Sequence, residues 1–130
     1  MTNSEKTAII DNKEKIINAF EQTGFNANVN IPPKSVDSER LAFDEEHITK
    51  RKHNTTKELA QGYIKNALIS YTKDVQGVKY ENYISRDGAA YVNTETNTIR
   101  TAFPSSEYNK GTKRIINTID DCISAKENIK

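Results

Sequence analysis

Leu68–Phe103, LISYTKDVQGVKYENYISRDGAAYVNTETNTIRTAF, decides the fold, because here the side chains change to a period of two and turn residues recur at short intervals. The alternation predicts strands over 68–73, 78–85, 88–93 and 97–103, with turns at Asp74–Gly77, Arg86–Gly88 and Thr94–Thr96. Connections this short join antiparallel neighbours, so the stretch reads as a four-stranded meander. Its strands carry Tyr83, Ser85, Arg100 and Thr101 among apolar residues, which a sheet built only for a core does not need. On the last strand, strict alternation sends Ile99, Thr101 and Phe103 to one side and Thr98, Arg100 and Ala102 to the other. Arg100 is thus expected on an open sheet face, where a guanidinium suits bidentate phosphate recognition and its ordinary alternative is a cross-strand ion pair.

Working outward, Thr55 opens a Thr-x-x-Glu capping pattern with Glu58, and Leu59, Ala60, Tyr63, Ile64 and Ala67 follow at helical spacing, predicting a helix near 56–66. Its start lies just after His53, where free backbone amides favour an anion. Residues 4–22 place Ile9, Ile16 and Phe20 on one stripe closed by Gly24, an amphipathic helix. Asn26–Glu39, with Pro32 and Pro33, shows no periodicity and reads as an extended linker. Beyond Pro104, Ser105 or Ser106 can cap a last helix over 106–126, marked by Ile115, Ile116, Ile119, Cys122 and Ile123, which Gly111 is able to split. The expected class is α+β: N-terminal helices, then a four-stranded antiparallel sheet and a C-terminal helix, with the helices on one face and the other face open. The expected division is an N-terminal helix over 1–25, a linker over 26–40 and an α+β domain over 41–130.

A length of 130 residues suits one domain that buries its core without staples. The one cysteine, Cys122, sits on an apolar helical stripe, so no internal disulfide forms and the thiol reads as a small core residue. With two histidines and one cysteine, the ligand pairs of a zinc site are missing, and no metal or other cofactor is expected. No run approaches the roughly 18 apolar residues of a membrane helix, so a soluble chain with no membrane partner is expected. A net charge of +1 argues against wrapping long nucleic acid by charge, yet allows contact with a few phosphates.

The run His47–Asn54, HITKRKHN, holds both histidines and the cations Lys50, Arg51 and Lys52. Cleaving RNA without a metal needs a base for the 2′-hydroxyl proton, an acid for the leaving oxygen and fixed positive charge on the phosphate. Histidine suits either proton role because its reference pKa, about 6.5, lies near working pH. Each feature has a plain structural reading as well: a half-buried histidine, a solvated cationic face, sheet packing for Tyr83 and an edge hydroxyl for Ser85.

The pattern HIxxRxHNxTxxxA over His47–Ala60, then ENYISRDGAAYV over Glu81–Val92 and IRTAF over Ile99–Phe103, resembles phage-associated toxin domains of the barnase, EndoU, colicin and RelE-like nuclease superfamily. Such domains end phage head-morphogenesis proteins and other polymorphic toxins. The resemblance spans about residues 41–120 and leaves the first helix and the linker outside it. It implies a metal-independent ribonuclease, with His47 as general base or acid, His53 as second proton carrier and Arg51 on phosphate, while Lys50 is a candidate substrate contact from the cationic run itself. It further implies Arg100 as stabiliser of the pentavalent phosphate, Thr101 as the hydroxyl beside it and Tyr83 as a base or phosphate contact; Ser85, on the same strand face as Tyr83, is a candidate substrate contact from that position alone.

The expected function is therefore an antibacterial ribonuclease toxin acting on RNA, tRNA included, in the cytoplasm, with delivery by a phage particle or a secretion system. Its expected partners are the RNA substrate and an immunity protein or a phage structural protein. Two rivals differ in class: a binding module that uses the same surface to hold protein or nucleic acid without cutting, and an immunity protein, for which a strongly one-signed surface would be expected.

Overall fold

The computed structural model describes residues 3–24, 28–46 and 55–128. In chain order these form α1 (Asn3–Asp11), α2 (Lys13–Gln22), β1 (Asn28–Asn30), a 3₁₀ turn (Ser38–Arg40), β2 (Ala42–Phe43), α3 (Lys57–Lys65), β3 (Ile69–Val75), β4 (Val78–Ile84), β5 (Gly88–Asn93), β6 (Thr98–Pro104), a second 3₁₀ turn (Ser105–Glu107) and α4 (Lys110–Asn128). The class is α+β, and the four expected strands lie within two residues of their expected bounds. The sheet, however, has six strands, not four, and is mixed, in the order β1-β3-β4-β5-β6-β2. β1 adds antiparallel to β3, and β2 adds parallel to β6 with Phe43 opposite Ile99. Both additions are two or three residues long, too short to show a period, so the segment expected to be a linker in fact supplies an edge strand.

Helices cover both faces, another departure from the expected open sheet. On the first face α1, α2 and α4 bury Ile9, Ile16, Phe20, Ile115 and Ile119 against Ile69, Tyr71, Ile84 and Ala89. The Phe20 and Tyr71 rings meet at 5.0 Å. On the second face α3 sets Ala60, Tyr63 and Ile64 against Ala90, Val92, Ile99 and Ala102, closed by Leu41 and Phe43. The Arg86 guanidinium bridges Glu5 of α1 and Asp120 of α4, at 2.8 and 2.7 Å, across the β4–β5 turn.

Local chemistry accounts for most element ends. The helix expected over 4–22 breaks at Asn12, whose side-chain amide donates to Ala8 O at 2.8 Å and so competes with the backbone ladder. α3 is capped by Thr56, one residue later than expected, its Oγ1 accepting from Leu59 N at 3.2 Å. α4 starts later than expected because Asn109 Oδ1 accepts from Thr112 N at 2.8 Å, and Gly111 sits in its first turn without splitting it. Gln76 and Gly77, both at positive φ (52° and 84°), make the two-residue β3–β4 hairpin. Gly88 is required for another reason: a Cβ there would lie 2.4 Å from the Tyr63 ring and 2.7 Å from Phe103 O.

The buried polar cluster lies on the second face. Glu81, 1% exposed, accepts through Oε2 from Ser70 Oγ (2.6 Å) and Asn30 Nδ2 (2.7 Å), and through Oε1 from Thr72 Oγ1 (2.6 Å). Ser70 Oγ in turn accepts from Lys34 N at 2.9 Å. This network fastens β1 and the proline segment to the sheet. Among the described residues, no helix is long and apolar enough to cross a membrane.

Candidate functional site

A β-bulge decides where Arg100 goes. Between Tyr91 and Val92 the β5–β6 register slips, so Thr101 pairs with Tyr91 but Ile99 pairs with Val92, leaving Arg100 without a partner in the ladder. Ile99 therefore joins the α3 core, while Phe103 packs on the opposite face with Tyr91 and Tyr108. The expectation from strict alternation that Ile99 and Phe103 lie on one side of the sheet fails for this reason. An extra residue resets the alternation.

Tyr71, Asn82, Tyr91 and Thr101 then form one cross-strand row on the first face, with Lys73, Tyr80, Asn93 and Thr98 in the row beside it. The helices cover only part of this face. At the uncovered end lies a hollow of about 650 Å³, a size that takes a nucleotide-sized ligand. Tyr71, Tyr80 and Tyr91 supply its aromatic lining, Lys73 and Arg100 its cations, and Asn82, Thr101 and Asn109 its neutral polar groups. Burial holds the Tyr91 phenol above its ordinary value, and the neighbouring Tyr71 adds to this, so Tyr91 stays a neutral hydroxyl.

Arg100 does not stand alone there. Its Nη1 donates to Asp44 Oδ2 at 2.5 Å, and the Asp44 backbone N donates to Ile99 O at 3.0 Å, tying the end of β2 to the bulge. The Arg100 side chain remains 44% exposed. The ion pair raised as the plain alternative is present, and it coexists with access to the hollow.

Tyr83 and Ser85 occupy the second face and are not brought together with Arg100 and Thr101. Tyr83 is 3% exposed, and its hydroxyl donates to Lys34 O at 2.9 Å. Burial, with the Glu81 charge beside it, pushes the phenol pKa up to about 12. Ser85 is 1% exposed and spans the β4–β5 turn, its Oγ donating to Gly88 O at 2.6 Å and accepting from Gly88 N at 3.2 Å. Both side chains are thus engaged by the fold. His47, Lys50, Arg51 and His53 lie outside the described residues.

Lys73, Tyr80, Asn82 and Tyr91 escaped sequence reading, because membership of one row depends on cross-strand register. A partial signal was the adjacent pair Glu81-Asn82 inside β4, where alternation sends one polar side chain to each face of the sheet. A second cavity of about 460 Å³ sits between α1, the Pro32–Val36 segment and the end of α3, with Tyr83 and not Arg100 in its lining. No group of three or more His, Cys, Asp or Glu side chains able to hold a metal ion occurs among the described residues.

No family model, curated protein or solved structure matches the chain.

Proposed function

We propose that the hollow beside Arg100 binds the backbone phosphate of RNA and that the protein is a metal-independent ribonuclease of the toxin type. One observation carries this reading: Arg100 and Thr101 share a nucleotide-sized, aromatic-lined hollow with Lys73 and Asn82. Cations on a phosphate, aromatic faces for bases and a hydroxyl beside the guanidinium are the parts that single-stranded nucleic acid recognition uses. Asp44, paired to Arg100, stands three positions before His47 in the chain. An extended chain spans about 3.3–3.6 Å per residue, so the reach from Asp44 permits His47 to serve this site.

In the proposed reaction the 2′-oxygen attacks phosphorus and gives its proton to one histidine, His47 or His53, acting as base. The P–O5′ bond breaks, and the departing 5′-oxygen takes a proton from the other histidine. The products are a 2′,3′-cyclic phosphate and a 5′-hydroxyl. Arg100 stabilises the charge that gathers on the nonbridging oxygens, and the Thr101 hydroxyl donates beside it. Arg51 and Lys50 contribute further positive charge, and the proposal includes a toxin role in which a protein inhibitor restrains this activity.

The test is incubation of the purified chain with total RNA in EDTA, followed by end analysis. Fragments ending in 2′,3′-cyclic phosphate, lost with Arg100→Ala and reduced roughly 10²- to 10⁴-fold with His47→Ala, are expected. A chain that binds RNA at Arg100 yet yields no fragments would instead be a nucleic-acid-binding module.

A further inference from the structure

We infer that Asn82 reads the edge of the nucleobase adjoining the phosphate on Arg100, so that the hollow takes an unpaired nucleotide and selects among bases. This rests on the phosphodiester reading above and deepens it. Asn82 is 4% exposed, it lines the hollow, and its Oδ1 is buried with no hydrogen-bond partner among the described residues. Its neighbours in the row do not satisfy it. Tyr71 and Tyr91 flank Asn82 directly, yet the Tyr71 hydroxyl is directed to the Tyr91 hydroxyl, 3.5 Å away.

A desolvated amide oxygen without a partner costs folding free energy, and native proteins keep few of them. Here the orphan belongs to a polar hollow already furnished with stacking faces and cations, which makes a ligand the natural donor. A primary amide presents an acceptor beside a donor, and a base edge offers the complement. The tyrosines of the hollow supply faces on which that base can stack while its phosphate lies toward Arg100. Inside a duplex the pairing edge is occupied, so the nucleotide must be unpaired.

Two arms test this. In the first, the wild type, Asn82→Leu and Asn82→Asp cut a pool of short RNAs randomised over an unpaired loop, and the new ends are sequenced. The wild type is expected to prefer some bases at one position by roughly 10-fold. Asn82→Leu should flatten that preference, and Asn82→Asp, an acceptor only, should move it toward bases that offer donors. In the second arm, the wild-type Asn82 side-chain amide is followed by NMR during titration with each of four nucleoside 3′-monophosphates and with inorganic phosphate. It should shift with the preferred nucleotide and stay put with phosphate.

An unchanged base profile in Asn82→Leu, or an Asn82 amide that no nucleotide moves, overturns the inference. Should the wild type cut no RNA, the ribonuclease reading falls while the titration still decides the role of Asn82. Should a variant fail to fold, the wild-type titration decides. The leucine variant is expected to fold with a thermal stability close to that of the wild type, because the Asn82 Oδ1 makes no hydrogen bond among the described residues.

Discussion

Arg100 on β6 and Asp44 at the end of β2 are held together twice, by the side-chain ion pair and by the Asp44 N–H on the carbonyl of Ile99. The guanidinium for which phosphate binding is proposed is thus positioned by the segment that leads into His47. The Asp44 carboxylate takes up part of the arginine fork, the part for which the proposed phosphate would compete.

Asp44→Asn should therefore tighten RNA binding, lowering KM for cleavage several-fold, whereas Arg100→Ala should cut kcat/KM by roughly 10² or more. Both partners are partly exposed, so neither change should cost more than about 1 kcal/mol of stability. Cleavage kinetics alongside urea unfolding separate the two effects. A large stability loss with unchanged kinetics would make the pair a fold contact alone.

Glu81 should behave differently, because its carboxylate is buried and accepts from Asn30, Ser70 and Thr72. Glu81→Leu strands all three donors and should destabilise by about 2–5 kcal/mol, read from the urea midpoint. Glu81→Gln keeps the shape and lets the two hydroxyls turn, so a smaller loss is expected. Cleavage should survive in whatever fraction stays folded, since the network lies on the face away from Arg100.

The N-terminal helices are part of the core. Phe20 is 1% exposed against Tyr71, and Ile9 and Ile16 are buried with Ile115 and Ile119 of α4. Phe20→Ala should cost about 3–5 kcal/mol. A chain beginning at residue 28 should lose cooperative unfolding, because a typical domain has only about 5–15 kcal/mol to spare. A sharp urea transition in that truncated chain would contradict the shared core.

Alkaline pH should weaken the fold. Burial, reinforced by Glu81, raises the Tyr83 pKa to about 12, and burial raises Tyr91 and Tyr108 as well. An unfolded tyrosine ionises near about 10, so between about 10 and 12 the native state binds more protons than the unfolded one. Stability should then be full below about pH 10 and fall as pH rises through about 12. Urea midpoints across that range give the slope, and phenolate absorbance should show these tyrosines titrating late. In Tyr83→Phe the fall should be shallower.

Period-two alternation and turn chemistry placed β3 to β6 without help, since Gln76-Gly77 can only turn and Pro104 can only end a strand. Helical spacing likewise marked the stripes of α2, α3 and α4. The same patterns named Arg100 and Thr101 as chemistry on a sheet, and they put Tyr83 and Ser85 on a common face. They left open which face that was, and there the expectation of a single site for all four gave way.

The difference lies in range. Alternation and capping are settled by neighbours a few residues apart, so they can be read along the chain. The β5–β6 bulge depends on the cross-strand pairing of a whole hairpin, and the short edge strands β1 and β2 and the placing of α3 opposite α1, α2 and α4 depend on partners dozens of positions away. One inserted residue at the bulge sends Ile99 and Phe103 into different cores and leaves Arg100 beside Asp44, and only cross-strand register assembles Tyr71, Asn82, Tyr91 and Thr101 into one row.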